Sequence, residues 1–240
     1  NFEILLVEDS SEKTSREVYE QYASKLSIAY YFKPNSGPGP SRNFGFERAR
    51  GEYFVVFDSD CVIPETYFTA VENFMLTEKV DAWGGPDRGR DDFTPLQRAM
   101  GYTMASVLTT GGIRGGKKRG FQPRSFNMGI SRAVYNQTNG FSFDRYAEDI
   151  ELSVRMRKHG FNVALISDAF VYHKRRTTLH DFFKQVSNFG KGRVLVGRTH
   201  PGEIKLTHWF PVCFLLGMCA VPIMILFFPM PGMMLLTGYG

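Results

Sequence analysis

The chain has 240 residues, with 43% hydrophobic and 22% charged side chains, as is typical of a folded protein with a sizeable core. Its net charge of +5 is unevenly spread, because the segment from Phe93 to Phe143 holds seven Lys or Arg residues and no acid. Such an island favours a phosphate-rich ligand or an anionic membrane as partner. Without a stacking-aromatic or basic-helix motif beside it, no nucleic acid is expected.

Predicted strands and helices alternate up to Phe57. The strands are the apolar runs FEILLVED, LSIAYYF and EYFVVF, and the helices are SSEKTSREVYEQYASKL, which Asp9 or Ser10 would cap, and SRNFGFERARG. The stretch KPNSGPGP between them has too many Gly and Pro residues to favour regular structure. This rhythm predicts an α/β fold with a mostly parallel central sheet flanked by helices on both faces.

The second half of the chain adds further elements of both kinds. DAWGGP predicts a short strand or turn, Pro95 to Thr110 predicts a helix, and FNMGISR, FNVALI and AFVYH predict strands. AEDIELSVRMRKHG predicts an amphipathic helix, with acids at its start and bases toward its end. The segment from Gly111 to Arg124 has five glycines and five cations but no P-loop spacing, and it predicts either a solvated loop or a phosphate-gripping lid.

The end of the chain, from Leu206 to Gly240, carries no formal charge. Trp209 to Phe228 gives a mostly apolar run that is about long enough to cross a bilayer, with a buried core helix as the alternative. We therefore predict a folded domain over residues 1–200 and a transmembrane region over residues 206–240. Five upstream cations place the domain on the cytoplasmic side by the positive-inside bias: Lys184, Lys191, Arg193, Arg198 and Lys205.

Two carboxylates, Asp58 and Asp60, come directly after the predicted strand EYFVVF. Ligands of open α/β sheets bind beyond the carboxyl ends of the strands, where Asp9 and the stretch NSGPGPSRN are also expected. Two close carboxylates resist ionisation unless a cation joins them, and a hard divalent ion such as Mg²⁺ or Mn²⁺ is suited to that role. The alternative is that both acids cap the turn before Pro64.

Several other residues have one functional and one structural interpretation. Asp9 is either a ligand contact or a helix cap, and Arg42 either meets an anion at a helix start or follows a simple turn. Glu148 and Asp149 either supply a general base or are simply acids favoured by the helix dipole at its N-terminus. His173 is either a metal ligand or a half-buried histidine with a hydrogen-bond partner.

The order of these segments resembles that of the family 2 glycosyltransferases with the GT-A fold. The resemblance covers roughly residues 2 to 175, and it is carried by LLVEDSS, NSGPGPSRNFGFERARGEYFVVFDSDCVIP and FNMGISRAVYNQTNGFSFDRYAEDIELSVRMRKHGFNVALISDAFVYH. The apolar end resembles the C-terminal anchors of bacterial members that build surface polysaccharides. The family's usual first strand and helix are absent from this sequence, and Gly240 closes it inside an apolar segment, so both ends are interpreted as truncated.

The resemblance implies a role for each matching residue at the nucleotide site. Asp9 is implied to hydrogen-bond the nucleotide base, and Arg42 is implied to lie near the base and the diphosphate. Asn43, beside Arg42 in the motif PSRN, is expected to contact the nucleotide sugar. In the DxD motif, Asp58 is implied to contact the ribose or nucleotide, and Asp60 to bind the metal on the diphosphate.

The resemblance also implies the catalytic groups and the kind of reaction. Asp149 matches the catalytic base, with Glu148 beside it, and His173 matches a histidine that completes the metal shell in some members. The implied reaction is inverting, Mg²⁺- or Mn²⁺-dependent sugar transfer, with a UDP-sugar favoured as donor and a saccharide or lipid-linked hydroxyl as acceptor. QVSNFGKGR keeps Gln185 but lacks the Arg-Trp pair of processive synthases, so one sugar per binding event is expected.

Two other functions remain open from the sequence. One is a nucleotidyltransferase-like enzyme, which also combines a metal with a glycine-rich loop on an α/β sheet. The other is a catalytically inactive, membrane-tethered scaffold that has kept the fold. The joint presence of Asp9, Asp58, Asp60 and Asp149 argues against the scaffold.

Overall fold

The structure is a computed structural model that describes residues 2–89, 92–105 and 121–227. Its strands are β1 (Ile4–Asp9), β2 (Ile28–Lys33), β3 (Tyr53–Phe57), β4 (Cys61–Val62), β5 (Ala82–Gly84), β6 (Asp87–Arg88), β7 (Asn127–Ser131), β8 (Val163–Leu165) and β9 (Val171–His173). Its helices are α1 (Arg16–Tyr22), α2 (Pro38–Arg48), α3 (Tyr67–Thr77), α4 (Pro95–Ala105), α5 (Arg132–Thr138), α6 (Glu148–Lys158), α7 (Leu179–Thr199) and α8 (Phe210–Phe227). A short 3₁₀ helix, Leu206–Trp209, precedes α8.

The strands form three sheets, and the α/β class predicted from the sequence is confirmed. β1 pairs with β2, a four-stranded sheet has the order β3-β7-β5-β8, and a three-stranded sheet has the order β4-β9-β6. The predicted mostly parallel sheet holds for strand direction in the four-stranded sheet, where β3, β5 and β8 run one way and β7 runs against them, although half of the pairings between described strands are antiparallel. The antiparallel pairings arise because β7 enters the four-stranded sheet in reverse and because β4 runs against β9 and β6 in the three-stranded sheet.

The main core lies between the four-stranded sheet and helices α2 and α6. β3 alternates in the expected way, with Phe54 and Val56 buried, whereas β7 is buried over most of its length. Phe46 of α2 stacks on Phe54 with ring centroids 5.0 Å apart, and Met156 of α6 belongs to the same cluster. Burying such side chains stabilises the fold by about 1.5–3 kcal/mol each. This packing fixes α2 and α6 on the sheet that contains β3, the strand directly followed by Asp58.

Two helix starts differ from the sequence prediction. α1 begins at Arg16, and Glu8 rather than Asp9 fixes its start by accepting a hydrogen bond from the Ser15 amide at 2.7 Å. α2 begins at Pro38, inside the stretch expected to be irregular, because proline at the first helical position has no N–H that needs a partner. Residues 106–120, which include the end of the predicted helix and most of the basic segment, lie outside the described residues.

The chain divides into two compact units, Asn1–Val196 and Gly197–Gly240. In the described part of the second unit, the helix Leu206–Phe227 has a mean hydropathy of 2.5 and is long and apolar enough to cross a membrane. Its side chains are largely exposed, with only 6% of the most apolar window buried, so it does not have the packing of a soluble core helix. Among the described residues it is the one helix that passes this test.

Candidate functional site

Arg42 joins two of the predicted site residues across the sheet edge. Its Nη2 donates to Oδ1 of Asp58, and its Nη1 donates to Oε1 of Glu148, both at 2.8 Å. The Arg42 and Glu148 side chains are only 12% and 10% exposed, whereas Asp58 is 36% exposed. One guanidinium therefore holds the end of β3 against the start of α6, with the Asp58 carboxylate still open to solvent.

The position of Arg42 is set by the way α2 begins. Gly37, just before the helix, has a φ of 98°, and a Cβ there would lie 2.7 Å from the carbonyl oxygen of Asp144. At the second residue of the helix, the Gly39 amide donates to that same carbonyl at 3.0 Å. Since only glycine accepts both the left-handed backbone and the close approach, α2 is anchored beside the segment that leads into Glu148.

Asn43 is turned toward the fold rather than toward Arg42 and its partners. Its Nδ2 donates to the carbonyl oxygen of Phe141 at 2.7 Å, and its Oδ1 accepts from the Phe141 amide at 2.8 Å. Both ends of the amide group thus support the backbone before α6. The nucleotide-sugar contact expected of Asn43 stays a prediction.

Replacing Asn43 with alanine is expected to lower the free energy of unfolding by about 1–3 kcal/mol, because two hydrogen bonds to a buried backbone segment are lost. Urea denaturation would measure this change. Asn136, exposed on α5, is the matched control, and its alanine variant is expected to stay within about 0.5 kcal/mol of the parent. An Asn43→Ala protein as stable as that control would contradict the structural role of Asn43 in holding the backbone at Phe141.

Glu148 and Asp149 open α6 from an unusual backbone position. Ala147, the residue before them, has a left-handed φ of 56°, a conformation that is uncommon for a residue with a side chain and recurs at functional sites. The Asp149 Oδ1 accepts from the Ile150 amide at 2.7 Å, and its Oδ2 lies 3.5 Å from Nη1 of Arg124. Of the two carboxylate oxygens of Asp149, Oδ2 therefore has the weaker hydrogen bond.

The two adjacent acids differ in their surroundings. Burial, and then the charge of Asp149, raises the pKa of Glu148 even though Arg42 acts in the opposite direction. Ser125 also donates to the same Glu148 oxygen at 3.3 Å. Glu148 is thus held in place by two partners, whereas Asp149 has the freer carboxylate oxygen.

Asp60 and His173 form the second half of the site. The His173 Nε2 lies 3.1 Å from Oδ1 of Asp60, and its ring stacks on Phe126 with centroids 4.8 Å apart. The hydrogen bond from His173 lowers the pKa of Asp60, although burial acts against it. The pairing of β4 with β9 brings these residues together, because Cys61, next to Asp60, is the direct register partner of His173.

Cys61 completes a group whose ligand atoms all lie within 4.8 Å of one another, together with Asp60 and His173. Burial raises the pKa of the Cys61 thiol to about 12, and the charges of Asp60 and Asp58 add to this effect. A thiolate is a soft ligand that suits zinc or copper better than Mg²⁺ or Mn²⁺. The carboxylate and the imidazole are therefore the groups here that fit these two harder ions, and carboxylate oxygens suit Mn²⁺ or Mg²⁺.

Asp9 lies at the end of β1 and orders a separate part of the site. Its carboxylate accepts hydrogen bonds from the amides of Ser36 and Gly37, each at 2.9 Å, and from Nζ of Lys33 at 2.5 Å. Burial alone would raise the pKa of Asp9, but these three donors lower it. Asp9 therefore fixes the loop before α2 as an anion, and not the start of α1 as the sequence suggested.

The charges of the site do not cancel. Its directly paired side chains comprise four carboxylates and two guanidinium groups: Asp58, Asp60, Glu148 and Asp149 with Arg42 and Arg124. Within this set the carboxylates outnumber the guanidinium groups by two, although the charge of Arg176 also acts on Asp60. A doubly charged cation would balance this difference, which supports the interpretation of the DxD motif as a metal site.

Sequence reasoning missed three residues that the structure places in the site. Ser125 and Arg124 contact Glu148 and Asp149, and Phe126 supports the ring of His173. These three residues directly precede β7, whose register against β3 is fixed by buried Met128 and Ile130. No sequence signal marked them, because residues before a strand of a parallel sheet lie at its amino edge, and only the antiparallel entry of β7 brings them to the carboxyl edge of β3.

Sequence comparison relates the chain to glycosyltransferases. Residues 1–139, more than half of the chain, match the family model described as Glycosyl transferase family 2. The chain is 23% identical over 204 residues to a protein of Bacillus subtilis (strain 168) described as probable glycosyltransferase YdaM. The match covers 81% of this chain and 48% of that relative, so the chain spans about half of its length.

Solved structures show the same fold. The mannosyltransferase PcManGT from Pyrobaculum calidifontis, in complex with GDP-Man and Mn²⁺, superposes with a TM-score of 0.73 at 16% identity, covering 98% of this chain and 69% of that one. Residues 1–349 of S. aureus TarS, in complex with UDP-GlcNAc, give a TM-score of 0.57 at 20% identity, covering 82% and 56% of the two chains. The fold is therefore the GT-A glycosyltransferase fold.

Proposed function

The chain belongs to glycosyl transferase family 2 and is a glycosyltransferase, and on that premise we propose that it transfers one sugar, with inversion, from a nucleotide-sugar donor to a hydroxyl acceptor. The observation that carries this proposal is the fork of Arg42, which joins Asp58 of the DxD motif to Glu148 beside Asp149. The proposed donor contact, Asp58, and the proposed base, Asp149, thus lie in one connected group of side chains. The nucleotidyltransferase alternative has no comparable support, since the family match concerns sugar transfer.

We propose that the donor's nucleotide lies between the loop ordered by Asp9 and the carboxylate of Asp58. Asp9 keeps that loop in place through the Ser36 and Gly37 amides, and Asp58 retains solvent access. Support comes from two structural neighbours, which were solved with GDP-Man and UDP-GlcNAc. A UDP-sugar is the donor we propose, with a saccharide or lipid-linked acceptor in surface polysaccharide or glycolipid synthesis.

Asp60 and His173 are the residues proposed to hold Mg²⁺ or Mn²⁺. Their oxygen and nitrogen already face each other at 3.1 Å, and the excess negative charge of the site favours a cation there. When bound, such an ion would stabilise the negative charge that develops on the diphosphate leaving group. Phe126 holds the His173 ring in its orientation, so binding would require Nε2 to give up the proton that it donates to Asp60 rather than a movement of the ring.

Asp149 is the proposed general base. As the acceptor oxygen attacks the anomeric carbon, the carbon–oxygen bond to the diphosphate breaks, and the acceptor proton passes to Oδ2 of Asp149. The Oδ1 atom stays bonded to the Ile150 amide, which keeps the carboxylate oriented. One displacement from the face opposite the leaving group inverts the anomeric centre. Glu148 acts as a positioning residue, because Arg42 and Ser125 both engage its Oε1.

We further propose that the enzyme acts at the bacterial inner membrane with its catalytic domain on the cytoplasmic side. Support comes from the apolar helix Leu206–Phe227 and from the cations that precede it in the sequence. Nucleotide sugars are charged and do not cross a bilayer unaided, so a cytoplasmic catalytic domain would have direct access to them.

Replacing Asp60 with asparagine is expected to weaken Mn²⁺-dependent binding of UDP by at least about ten-fold, because outer-shell changes alone typically cost 10–100-fold in metal affinity. Isothermal titration of the full-length protein with UDP, with and without Mn²⁺, measures this. Asp168→Asn, on an exposed loop, is the control and is expected to bind as the parent does. Unchanged affinity of Asp60→Asn in Mn²⁺ would contradict the metal assignment.

A further inference from the structure

Cys61 carries a partly buried free thiol beside the proposed metal ligands, and the transfer mechanism does not use it. It follows Asp60 directly in the chain, and it is the register partner of His173 where β4 pairs with β9. The sulfur, an Asp60 oxygen and a His173 nitrogen all lie within 4.8 Å of one another. Three different kinds of metal ligand therefore meet at one point of the structure.

This ligand set has the composition of a zinc site. Zn²⁺ is bound by cysteine sulfur, histidine nitrogen and aspartate oxygen, with tetrahedral geometry and bond lengths of about 2.0–2.3 Å. Two ligand atoms on such an ion lie about 3.3–3.8 Å apart. The Asp60 Oδ1 and the His173 Nε2 are 3.1 Å apart, and the ligand atoms of the group are separated by at most 4.8 Å. Shifts of about 1 Å would bring the three atoms to zinc distances.

The sulfur of Cys61 is the ligand that distinguishes zinc from the ion proposed for sugar transfer. Mg²⁺ and Mn²⁺ take carboxylate, carbonyl and water oxygens, whereas thiolate and imidazole together suit a softer metal such as zinc. Cys61 therefore contributes little to the binding of Mg²⁺ or Mn²⁺. For zinc, it completes a set of three protein ligands.

Phe126 holds the sulfur and the imidazole side by side. Its ring stacks on His173 with centroids 4.8 Å apart, and its carbonyl oxygen accepts from the Cys61 thiol at 3.6 Å. A thiol is a weak hydrogen-bond donor, so a metal bond can replace this contact at little cost. The two ligands that zinc prefers are thus already oriented by one residue.

Zinc coordination changes the protonation of two side chains. The Cys61 thiol gives its proton to solvent, and the imidazole carries its proton on Nδ1, so that Nε2 is free for the ion. Burial, and then the charges of Asp60 and Asp58, raise the pKa of the thiol to about 12. An ion bound to Asp60 opposes those charges, and a coordinating thiol is deprotonated outright.

We propose that Asp60, Cys61 and His173 form a Zn²⁺ site that competes with the Mg²⁺ or Mn²⁺ ion of sugar transfer. Three protein ligands leave the fourth tetrahedral position for water. The competition rests on the proposed function, because Asp60 and His173 are the residues assigned there to the transfer ion, whereas zinc binding itself does not depend on that assignment. Zinc bound at this point would exclude the transfer ion and make the enzyme sensitive to free zinc.

The alternative is that Cys61 only fills space in the fold. It packs at the edge of the apolar cluster that contains Tyr67 and Val171, where a small side chain needs no metal. The two interpretations differ in whether the sulfur binds an added metal ion. A measurement that reports on the sulfur itself therefore separates them.

Cobalt substitution in the full-length protein reports on the sulfur directly. Co²⁺ takes the place of zinc, and a Co²⁺–thiolate bond absorbs in the near ultraviolet by sulfur-to-metal charge transfer. We expect this band in the parent protein, its loss on addition of equimolar Zn²⁺, and its absence from Cys61→Ser. Cys213→Ser, which removes an exposed thiol of α8, is the matched control and is expected to keep the band. A parent protein without the band, or a Cys61→Ser protein that retains it, would overturn the proposal.

Release of bound Mn²⁺ measures the competition. Free Mn²⁺ gives a sharp electron paramagnetic resonance signal, so its release is followed while Zn²⁺ is added. Cys61→Ser is expected to need at least about ten-fold more zinc than the parent to release half of the Mn²⁺, because even outer-shell changes cost about 10–100-fold in metal affinity. Equal zinc requirements would show that the thiol is not a ligand. A cobalt band that depends on Cys61, in a protein whose UDP binding does not respond to Mn²⁺, would confirm the zinc site and contradict the competition together with the proposed transfer ion.

Discussion

Replacing Asp149 with asparagine is expected to reduce turnover by about 10²–10⁴-fold, the contribution of a positioned general base. The amide oxygen can still accept from the Ile150 amide, so the helix start keeps its geometry, but the group no longer takes a proton at neutral pH. Donor affinity is expected to stay unchanged, because Asp149 is not among the partners of Arg42. Turnover assays and nucleotide titration of the full-length protein separate the two quantities.

Asp144→Asn is the matched control for this change, since Asp144 is an exposed acid in the segment just before the same helix. It is expected to leave turnover within about two-fold of the parent, as for surface substitutions generally. Near-normal turnover of Asp149→Asn would rule out the base assignment. A parallel loss of nucleotide binding would instead show that Asp149 serves the donor site.

Replacing Arg42 with methionine is expected to lower the free energy of unfolding by about 3 kcal/mol. Methionine fills the space of the stem but leaves Glu148 without its cation, and removing one partner of a buried ion pair costs ~3–5 kcal/mol. The lower end applies, since Asp58 is 36% exposed and regains water. Urea denaturation of the variant measures the loss.

The double variant Arg42→Met, Glu148→Gln completes the test. Removing the charge of Glu148 is expected to recover more than half of the lost stability, because the penalty comes mainly from an unpaired buried carboxylate. Arg16→Met is the control, since Arg16 forms an exposed helical pair worth a few tenths of a kcal/mol. A loss in Arg42→Met no larger than in Arg16→Met would show that the fork does not hold the site together.

The sequence indicated the candidate site because the acids of the site stand at the ends of predicted strands and helices. Asp58 and Asp60 come after β3, whose alternating pattern predicts a strand, and Glu148 and Asp149 begin a helix with clear charge polarity. The order of these segments predicted the family and the α/β class, and both are confirmed. Such signals are local, so they survive in a single sequence.

The connections between these segments could not be read in the same way. Arg42 and Glu148 are 106 positions apart, and nothing local to either residue marks the other as its partner. Glu8 and Asp9 are adjacent acids on one strand, so their side chains point to opposite faces. The sequence does not show which face meets the start of α1, and the prediction named Asp9 where the structure has Glu8. The reversed direction of β7 likewise depends on tertiary pairing, which strand propensity does not contain.

The location of a bound Mn²⁺ ion tests most directly whether the DxD tip serves a nucleotide-sugar donor. Crystals of the full-length protein grown with UDP and Mn²⁺ allow the ion to be found from its anomalous scattering. We expect one strong peak within coordination distance of the Asp60 carboxylate and the His173 Nε2, adjoining the diphosphate. A bound nucleotide whose diphosphate lies away from Asp60, or a Mn²⁺ ion bound elsewhere, would contradict this function for residues 58–60.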